Sequence, residues 1–215
     1  MRLVLASASP RRAHLLADAN CRFHVAPPEI EEVAPPYLTP VETVLLNARA
    51  KAEEVAARFP EDVVLGADTL VAFTGKIFGK PSTMNDAFAM LRRLNGRTHE
   101  VFSGVWLVHR AGRRSIGTVE RTRVHFHRLS EEKLHAYLAR IGPLDKAGAY
   151  AAQDDHGELI KAVEGSFSNV VGLPMEKLTG LLAGFGFKTR MQKTQRDASG
   201  RKVLSRAIPE TDGEG

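Results

Sequence analysis

The chain has 215 residues, of which 43% are hydrophobic, so it is long enough to form a globular domain with a substantial core. No apolar run reaches the roughly 20 residues that cross a bilayer, and the single cysteine, Cys21, excludes an internal disulfide, so we expect a cytoplasmic protein without a membrane span. The net charge of +5 is concentrated in residues 188–215, where seven Lys and Arg against four Asp and Glu give +3 and leave +2 for residues 1–187, so nucleic-acid binding is not expected.

The composition also divides the chain into two parts. Residues 1–187 show sustained hydrophobic periodicity and are predicted to form one domain. Residues 188–215 are basic, contain few large apolar residues and show no such periodicity. We predict that this C-terminal tail is disordered.

The predicted elements of the first half alternate between strands and helices. A strand over 2–6 precedes a helix over 10–19, and a short strand follows over 22–26. A capping box, Thr39 with Glu42, then starts a long helix that ends near Arg58. The run "DVVLGADTLVAF" predicts a buried strand, and "TGKIFGKP" after it predicts a turn and a loop.

The second half continues the α/β pattern. A helix from about Thr83 ends before Asn95-Gly96, and two long strands joined at "RAGR" follow. Another helix starts at Ser130 and ends at Gly142, and a last one starts at about Pro174. These elements predict an α/β fold with one mixed sheet, long antiparallel strands and flanking helices.

The stretch "LASASPRR", residues 5–12, carries an unusual charge at a predicted helix start. Ser9 and Pro10 suit the N-cap and the first helical position, but Arg11 and Arg12 lie where the helix dipole is already positive. The arginines are either solvated surface charges or part of a phosphate cradle, in which backbone N–H groups and guanidinium groups bind phosphate oxygens.

Asp68, in "LGADTLV", is a carboxylate inside an apolar run, where an unpaired charge is costly. It is either a structural residue, a metal ligand or a general base. The acidic pair Glu31-Glu32 either lies in a solvated loop or offers a second carboxylate for Mg²⁺, which prefers oxygen ligands. Candidate cations that would surround a polyphosphate beside Asp68 are Lys51, Lys80, Arg97, His99 and Lys146.

Eight segments of the chain, in this order, resemble the Maf family of nucleoside triphosphate pyrophosphatases. They are "LASASPRR", "IEE", "NARAKA", "GADT", "GKP", "GRTHEVFSG", "DKAGAYAAQ" and "GSFSNVVGLP", and the resemblance runs from Leu3 to about Phe185. It implies a mixed twisted sheet split by a deep cleft, related to inosine triphosphate pyrophosphatases, and a homodimer. It also implies hydrolysis of the α–β phosphoanhydride of a nucleotide, which releases pyrophosphate.

The resemblance implies a role for each matching residue. Asp68 would be the catalytic aspartate and, with Glu32, a ligand of Mg²⁺, with Mn²⁺ or Co²⁺ as alternatives. Phosphate-binding positions would be Ser7, Arg12, Lys51 and Lys80, and the residues that select the substrate would be Arg11, Thr69 and Gln153.

The segment "KAGAYAAQ" resembles the subgroup that acts on dTTP and UTP, including modified pyrimidine nucleotides. The alternatives are the 7-methyl-GTP subgroup and a non-enzymatic septation regulator or nucleic-acid binder. Ala151 and Asp154 replace two glycines of the commoner "AGAYGIQG", which predicts a stiffer and more acidic loop beside the base. The Gln153 amide can pair with O4 and N3–H of uracil or thymine if Arg11 and Thr69 hold its orientation.

Overall fold

A mixed seven-stranded sheet forms the centre of the computed structural model, which describes residues 1–189 and the backbone of 195–196 and 202–203. The sheet strands are β1 (Leu3–Ala6), β2 (Phe23–Val25), β3 (Val63–Phe73), β4 (Lys76–Phe78), β5 (Thr98–His109), β6 (Arg114–Phe126) and β7 (Ile160–Glu164). Their order is β2-β1-β3-β5-β6-β7, with β4 paired to β3. β1 is parallel to β2 and β3, and every other pairing in the sheet is antiparallel, so the predicted mixed sheet is confirmed.

The helices flank this sheet. They are α1 (Pro10–Asp18), α2 (Pro40–Arg58), α3 (Met84–Leu94), α4 (Glu131–Ile141), α5 (Phe167–Val171) and α6 (Met175–Gly184), with short 3-10 helices at Pro143–Asp145, Ala147–Ala149 and Ala152–Asp154. Both bonds of the predicted capping box form between Thr39 and Glu42. Ser130 caps α4, which ends at Gly142 in the left-handed conformation. In the described part of the chain, no helix has the length and apolarity to cross a membrane.

Two local predictions were wrong. Residues 76–78 form β4 instead of a loop, because Thr74 and Gly75 both adopt positive φ (48° and 73°) and close a tight hairpin onto β3. Threonine is a weak sequence signal for such a turn. The helix α5 was not predicted, since five residues are too few to show helical periodicity.

The tail over 188–215 lies almost entirely outside the described residues. Two short strands are present there, β8 (Gln195–Arg196) and β9 (Lys202–Val203), and they pair antiparallel. The division of the chain at residue 187 stays a prediction.

The helix α2 packs on the face of the sheet opposite to the larger core, and its backbone lies close to the strands. A Cβ atom built on Gly66 of β3 would lie 2.1 Å from the Ala48 carbonyl oxygen, and one on Gly104 of β5 would lie 2.5 Å from the Val44 carbonyl oxygen. Gly104 is the register partner of Asp68. The two glycines therefore let the α2 backbone lie against the sheet around Asp68, within reach of short side chains on α2.

The opposite face carries the larger core. Leu3 and Leu5 of β1 point into it, whereas Val4 and Ala6 point toward α2. β1 is therefore buried on both faces, as its uninterrupted apolar sequence predicted. Leucines of α1, α3, α4 and α6 complete the larger core: Leu16, Leu91, Leu134, Leu138, Leu178 and Leu182.

Candidate functional site

A cleft of about 400 Å³ lies where β1 ends, beside the middle of β3 and the inner face of α2. Its volume is in the range of small-molecule sites. All nine predicted site residues line it: Ser7, Arg11, Arg12, Glu32, Lys51, Asp68, Thr69, Lys80 and Gln153. The structure thus brings together residues from six separate parts of the sequence, although the role of each stays a prediction.

Asp68 and Lys51 form a buried ion pair at the bottom of the cleft. The Lys51 Nζ lies 2.8 Å from Asp68 Oδ1, and the two side chains are 5% and 8% exposed. Lys51 is one helical turn after Asn47 on α2, so both side chains project from the helix face that packs over Asp68. The buried carboxylate in β3 is therefore paired, as a charge in a core must be.

Lys51 also joins Asp68 to Glu32. Its Nζ lies 2.7 Å from Glu32 Oε1, and the exposed Lys80 Nζ lies 3.1 Å from Glu32 Oε2. Burial would raise the pKa of Glu32, but the attraction and hydrogen bonds of Lys51 and Lys80 outweigh it and lower this pKa to about 2. Glu32 is therefore ionised at neutral pH.

Asn47 is a site residue that the sequence reasoning missed. Its Nδ2 donates to Asp68 Oδ2 at 3.0 Å and to the Val33 carbonyl oxygen at 2.9 Å, and its Oδ1 accepts from the Val33 N–H at 3.0 Å. The segment "NARAKA" contained it, but no sequence pattern indicates which buried polar residue of a helix will meet a carboxylate of a strand.

Arg12 spans the upper part of the cleft. It donates to Ser7 Oγ and to Thr69 Oγ1, each at 3.2 Å, and its Nε donates to the Gly172 carbonyl oxygen at 2.9 Å. Burial lowers the pKa of Arg12, and the negative charges of Asp68 and Glu32 oppose that change. Arginine keeps its charge under such conditions, so the cleft holds a fixed, half-buried guanidinium.

The N-terminus of α1 opens into the same region. Ser9 is the N-cap, as predicted, but its side chain makes no capping hydrogen bond. The Ser9 N–H instead donates to Ser7 Oγ at 3.2 Å. Pro10 has no N–H, and the Ala13 N–H donates to the Ser9 carbonyl oxygen. Among the described residues, the backbone N–H groups of Arg11 and Arg12 therefore remain available to an anion.

Arg11 turns away from Arg12 and crosses the mouth of the cleft. Its Nη1 lies 2.8 Å from Asp145 Oδ2, and its Nη2 donates to the Asp145 carbonyl oxygen at 3.2 Å. Lys146 also binds the Asp145 carboxylate. Lys146 therefore lies at the cleft, as expected, but its charge is shared with Asp145.

Gln153 also lines the cleft, from the 3-10 helix Ala152–Asp154. Within the described residues, neither Arg11 nor Thr69 hydrogen-bonds to it, because Arg11 binds Asp145 and Thr69 binds Arg12, Ser103 and the Gly172 carbonyl. The two residues thus do not hold the Gln153 amide here.

The two positions that replace glycines cause no backbone strain. Ala151 has an extended backbone (φ −126°), and Asp154 has no positive φ. The Tyr137 hydroxyl accepts a hydrogen bond from the Ala151 N–H at 3.3 Å. A side chain at either position is therefore compatible with this loop conformation.

Two of the expected cations do not line the cleft. The exposed guanidinium of Arg97 lies over the Phe73 ring. His99 is buried, and its Nε2 lies 2.9 Å from the Tyr150 hydroxyl oxygen. Burial, together with the nearby His125, lowers the pKa of His99 to about 3. The ring is neutral at pH 7, so the expectation that His99 balances phosphate charge was wrong.

Comparisons with known proteins identify the family of this chain. A family model described as "Maf-like protein" matches residues 2–185. A dTTP/UTP pyrophosphatase from Carboxydothermus hydrogenoformans is 43% identical over 188 residues, which cover 87% of this chain and 100% of the relative. One from Myxococcus xanthus is 48% identical over 184 residues, 86% of this chain and 92% of the relative. The Staphylococcus aureus Ham1 protein aligns over 86% of this chain and 100% of its own with a TM-score of 0.49 and 15% identity.

Proposed function

Since this chain belongs to the Maf family, we propose that it hydrolyses dTTP and UTP to the nucleoside monophosphate and pyrophosphate. The relatives named above carry this activity in their names. The observation that carries the proposal is the buried Asp68 carboxylate, which lines the same cleft as five cationic side chains, those of Arg11, Arg12, Lys51, Lys80 and Lys146. Such a site pairs a proton acceptor or metal ligand with groups that stabilise phosphate charge.

Phosphate charge is the main barrier to this reaction, because the anhydride repels an attacking nucleophile. Arg12, Lys80 and the N–H groups at the start of α1 would bind the phosphate oxygens and stabilise the charge that builds on the leaving pyrophosphate. Lys80 is exposed, and Glu32 is its one ion-pair partner among residues 1–189, so it can turn toward a substrate.

A divalent metal, Mg²⁺ by preference with Mn²⁺ or Co²⁺ as alternatives, would be held by Glu32 and Asp68. In residues 1–189 no group of three or more His, Cys, Asp or Glu forms a complete metal cage. Two cleft-lining carboxylates nevertheless fit Mg²⁺, which commonly takes one or two protein carboxylates and completes its shell with substrate phosphates and water. When bound, such an ion supplies charge neutralisation at the phosphates.

Asp68 would act in one of two ways in the step itself. As a general base, it takes a proton from the water whose oxygen attacks the α-phosphorus. The bond from that phosphorus to the bridging oxygen breaks, and pyrophosphate leaves with the electron pair. As a metal ligand, it would instead help Glu32 to hold the ion that neutralises the phosphates, and the proton of the attacking water would pass to bulk water. Asp68 Oδ1 accepts from Lys51 and Oδ2 from Asn47, so each oxygen keeps a further lone pair for either role.

Gln153 would read the base. Its amide offers a donor to O4 and an acceptor to N3–H, which is the pattern of uracil and thymine and the reverse of cytosine. Since neither Arg11 nor Thr69 holds the amide, discrimination against cytosine requires a contact that forms with the bound nucleotide and fixes the amide orientation. A site with polar groups matched to one base edge rejects the others, because its own groups are then left unpaired.

The experiment is a panel of dTTP, UTP, CTP and 7-methyl-GTP with Mg²⁺, scored for release of pyrophosphate. Preference for dTTP and UTP supports the proposal, and preference for 7-methyl-GTP would place the chain in the other subgroup. Absence of turnover on all four, with salt-sensitive nucleic-acid binding that is lost when residues 188–215 are deleted, would favour a binding protein instead.

We further propose a homodimer that acts in the cytoplasm. Family membership and the single cysteine support this assignment. Sedimentation equilibrium of the full chain measures the oligomeric state, and a monomer at assay concentrations would contradict the first part.

A further inference from the structure

We propose that Asn47 is a positioning residue that holds the Asp68 carboxylate and the Glu32 loop in one fixed arrangement. This inference rests on the proposed function of the same cleft and adds a residue to it. It starts from burial, since Asn47 is 4% exposed and lies on the inner face of α2. A buried amide of this kind is expected to have all its hydrogen bonds formed.

The partners of Asn47 determine which way its amide points. Nδ2 faces two acceptors, Asp68 Oδ2 and the Val33 carbonyl oxygen, whereas Oδ1 faces the Val33 N–H. Turning the amide over would place its oxygen against both acceptors and its NH₂ group against the donor. The orientation is therefore set by the protein.

These bonds close a ring that contains the reactive groups. Glu32 binds Lys51, Lys51 binds Asp68, Asp68 binds Asn47, and Asn47 binds both backbone groups of Val33, the residue next to Glu32. Loss of Asn47 opens the ring at two places at once. Among the described residues, the Asp68 carboxylate then keeps the bond from Lys51, and the loop carrying Glu32 loses both backbone bonds at Val33. The Lys51–Glu32 pair still joins Glu32 itself to α2.

Asn47 does not line the cleft, so it is expected to act on catalysis only through Asp68 and Glu32. Loss of such an outer partner typically lowers activity by about 10–100-fold. The residues proposed to bind phosphate remain in place, so kcat should fall more than KM rises.

The chain offers a matched control in Asn95. Its Nδ2 donates to the Leu129 carbonyl oxygen at 2.9 Å, and its Oδ1 accepts from the Leu129 N–H at 2.8 Å. This is the same pair of bonds to the backbone of one residue, but without a carboxylate partner. Asn95→Ala thus reports the structural effect of losing such a pair.

The first measurement compares Asn47→Ala with Asn95→Ala in melting temperature, kcat and KM for dTTP. We expect both to melt lower, but only Asn47→Ala to lose about 10–100-fold in kcat, with KM within about threefold. Asn47→Asp, nearly the same size, places an oxygen against Asp68 and should lose at least as much kcat. A kcat for Asn47→Ala and Asn47→Asp within about twofold of Asn95→Ala would overturn the inference.

The second measurement does not depend on the proposed activity. Asn47→Ala is introduced into the wild type and into the Asp68→Ala variant, and the fall in melting temperature that it causes is compared between these two backgrounds. We expect Asn47→Ala to lower the melting temperature less in the Asp68→Ala background, because one of the three hydrogen bonds of Asn47 is already absent there. Asn95→Ala should lower it equally in both backgrounds. Equal falls for Asn47→Ala would refute the coupling to Asp68 even if the wild type hydrolysed none of the nucleotides.

Discussion

Replacement of Lys51 by methionine removes the ammonium by which α2 binds both Asp68 of β3 and Glu32 of the preceding loop. The Lys51 ammonium is 5% exposed and lies 2.7 Å from Glu32 Oε1 and 2.8 Å from Asp68 Oδ1. Methionine keeps the length of the side chain and fills most of its volume. Asp68 then loses the ammonium that contacts it, and among the described residues its remaining hydrogen bond comes from the neutral Asn47 amide.

The size of the effect follows from these distances. At an effective dielectric constant of about 20, two unit charges 2.8 Å apart attract each other by about 6 kcal/mol. Desolvation cancels part of that, and removal of one partner of a buried pair typically costs about 3–5 kcal/mol. Since about 1 kcal/mol corresponds to about 2–4 °C in a protein of this size, we expect Lys51→Met to melt about 6–20 °C below wild type.

Lys80→Met is the control, because Lys80 binds the Glu32 carboxylate, which Lys51 also binds, but does so from the solvent side. Its side chain is 54% exposed, and exposed ion pairs contribute about 0–1 kcal/mol. Calorimetric melting at neutral pH in the presence of EDTA compares the two variants. If Lys51→Met melted within about 2 °C of Lys80→Met, the buried pair would contribute no more to stability than an exposed pair, which would refute this prediction.

A second substitution checks the cause. Asp68→Asn in the Lys51→Met background removes the unpaired carboxylate, so the double variant should melt higher than Lys51→Met alone. A double variant that melted lower would mean that lost packing, and not the isolated charge, explains the destabilisation.

Three further predictions concern the other cleft residues. Asp68→Asn should fold but release pyrophosphate at least about 100-fold more slowly, and comparable turnover in the folded variant would contradict the role of Asp68. Gln153→Ala should flatten the ranking of dTTP, UTP, CTP and 7-methyl-GTP in kcat/KM more than it lowers the best rate, whereas an unchanged ranking would mean that the base is read elsewhere. The pKa of Glu32 lies at about 2 in the folded protein against 4.5 ordinarily, so its stabilisation is present above pH 4.5 and is lost as the pH falls toward 2. Urea unfolding at about pH 5 and about pH 3 should therefore show a smaller acid loss for Glu32→Gln than for wild type, and equal losses would exclude this linkage.

Most secondary structure could be predicted from local sequence, because its signals are local. The capping box of Thr39 and Glu42 and the apolar run of β3 each act within a few residues. The hairpin at Thr74-Gly75 was missed, since its turn places a threonine where glycine or asparagine is usual.

Nine of the residues that line the cleft could also be named from the sequence, through motifs that resemble a family and through one carboxylate in an apolar strand. The contacts that these residues make could not be predicted from the sequence. Arg11 and Arg12 are adjacent in the chain, yet one binds Asp145 and the other binds Thr69 and the Gly172 carbonyl. Neighbours on a helix project about 100° apart, so each meets a different element once the helix is docked.

Asn47 shows most clearly what only the tertiary structure decided. Sequence determined that the chain has a helix with Asn47 and Lys51 on one face and a strand with a single buried carboxylate, Asp68. The close docking of that helix on Gly66 and Gly104 decided that both side chains reach Asp68. A hydrogen bond requires donor and acceptor to come within about 3 Å, and across 21 residues of chain only the packing of the whole sheet sets that distance.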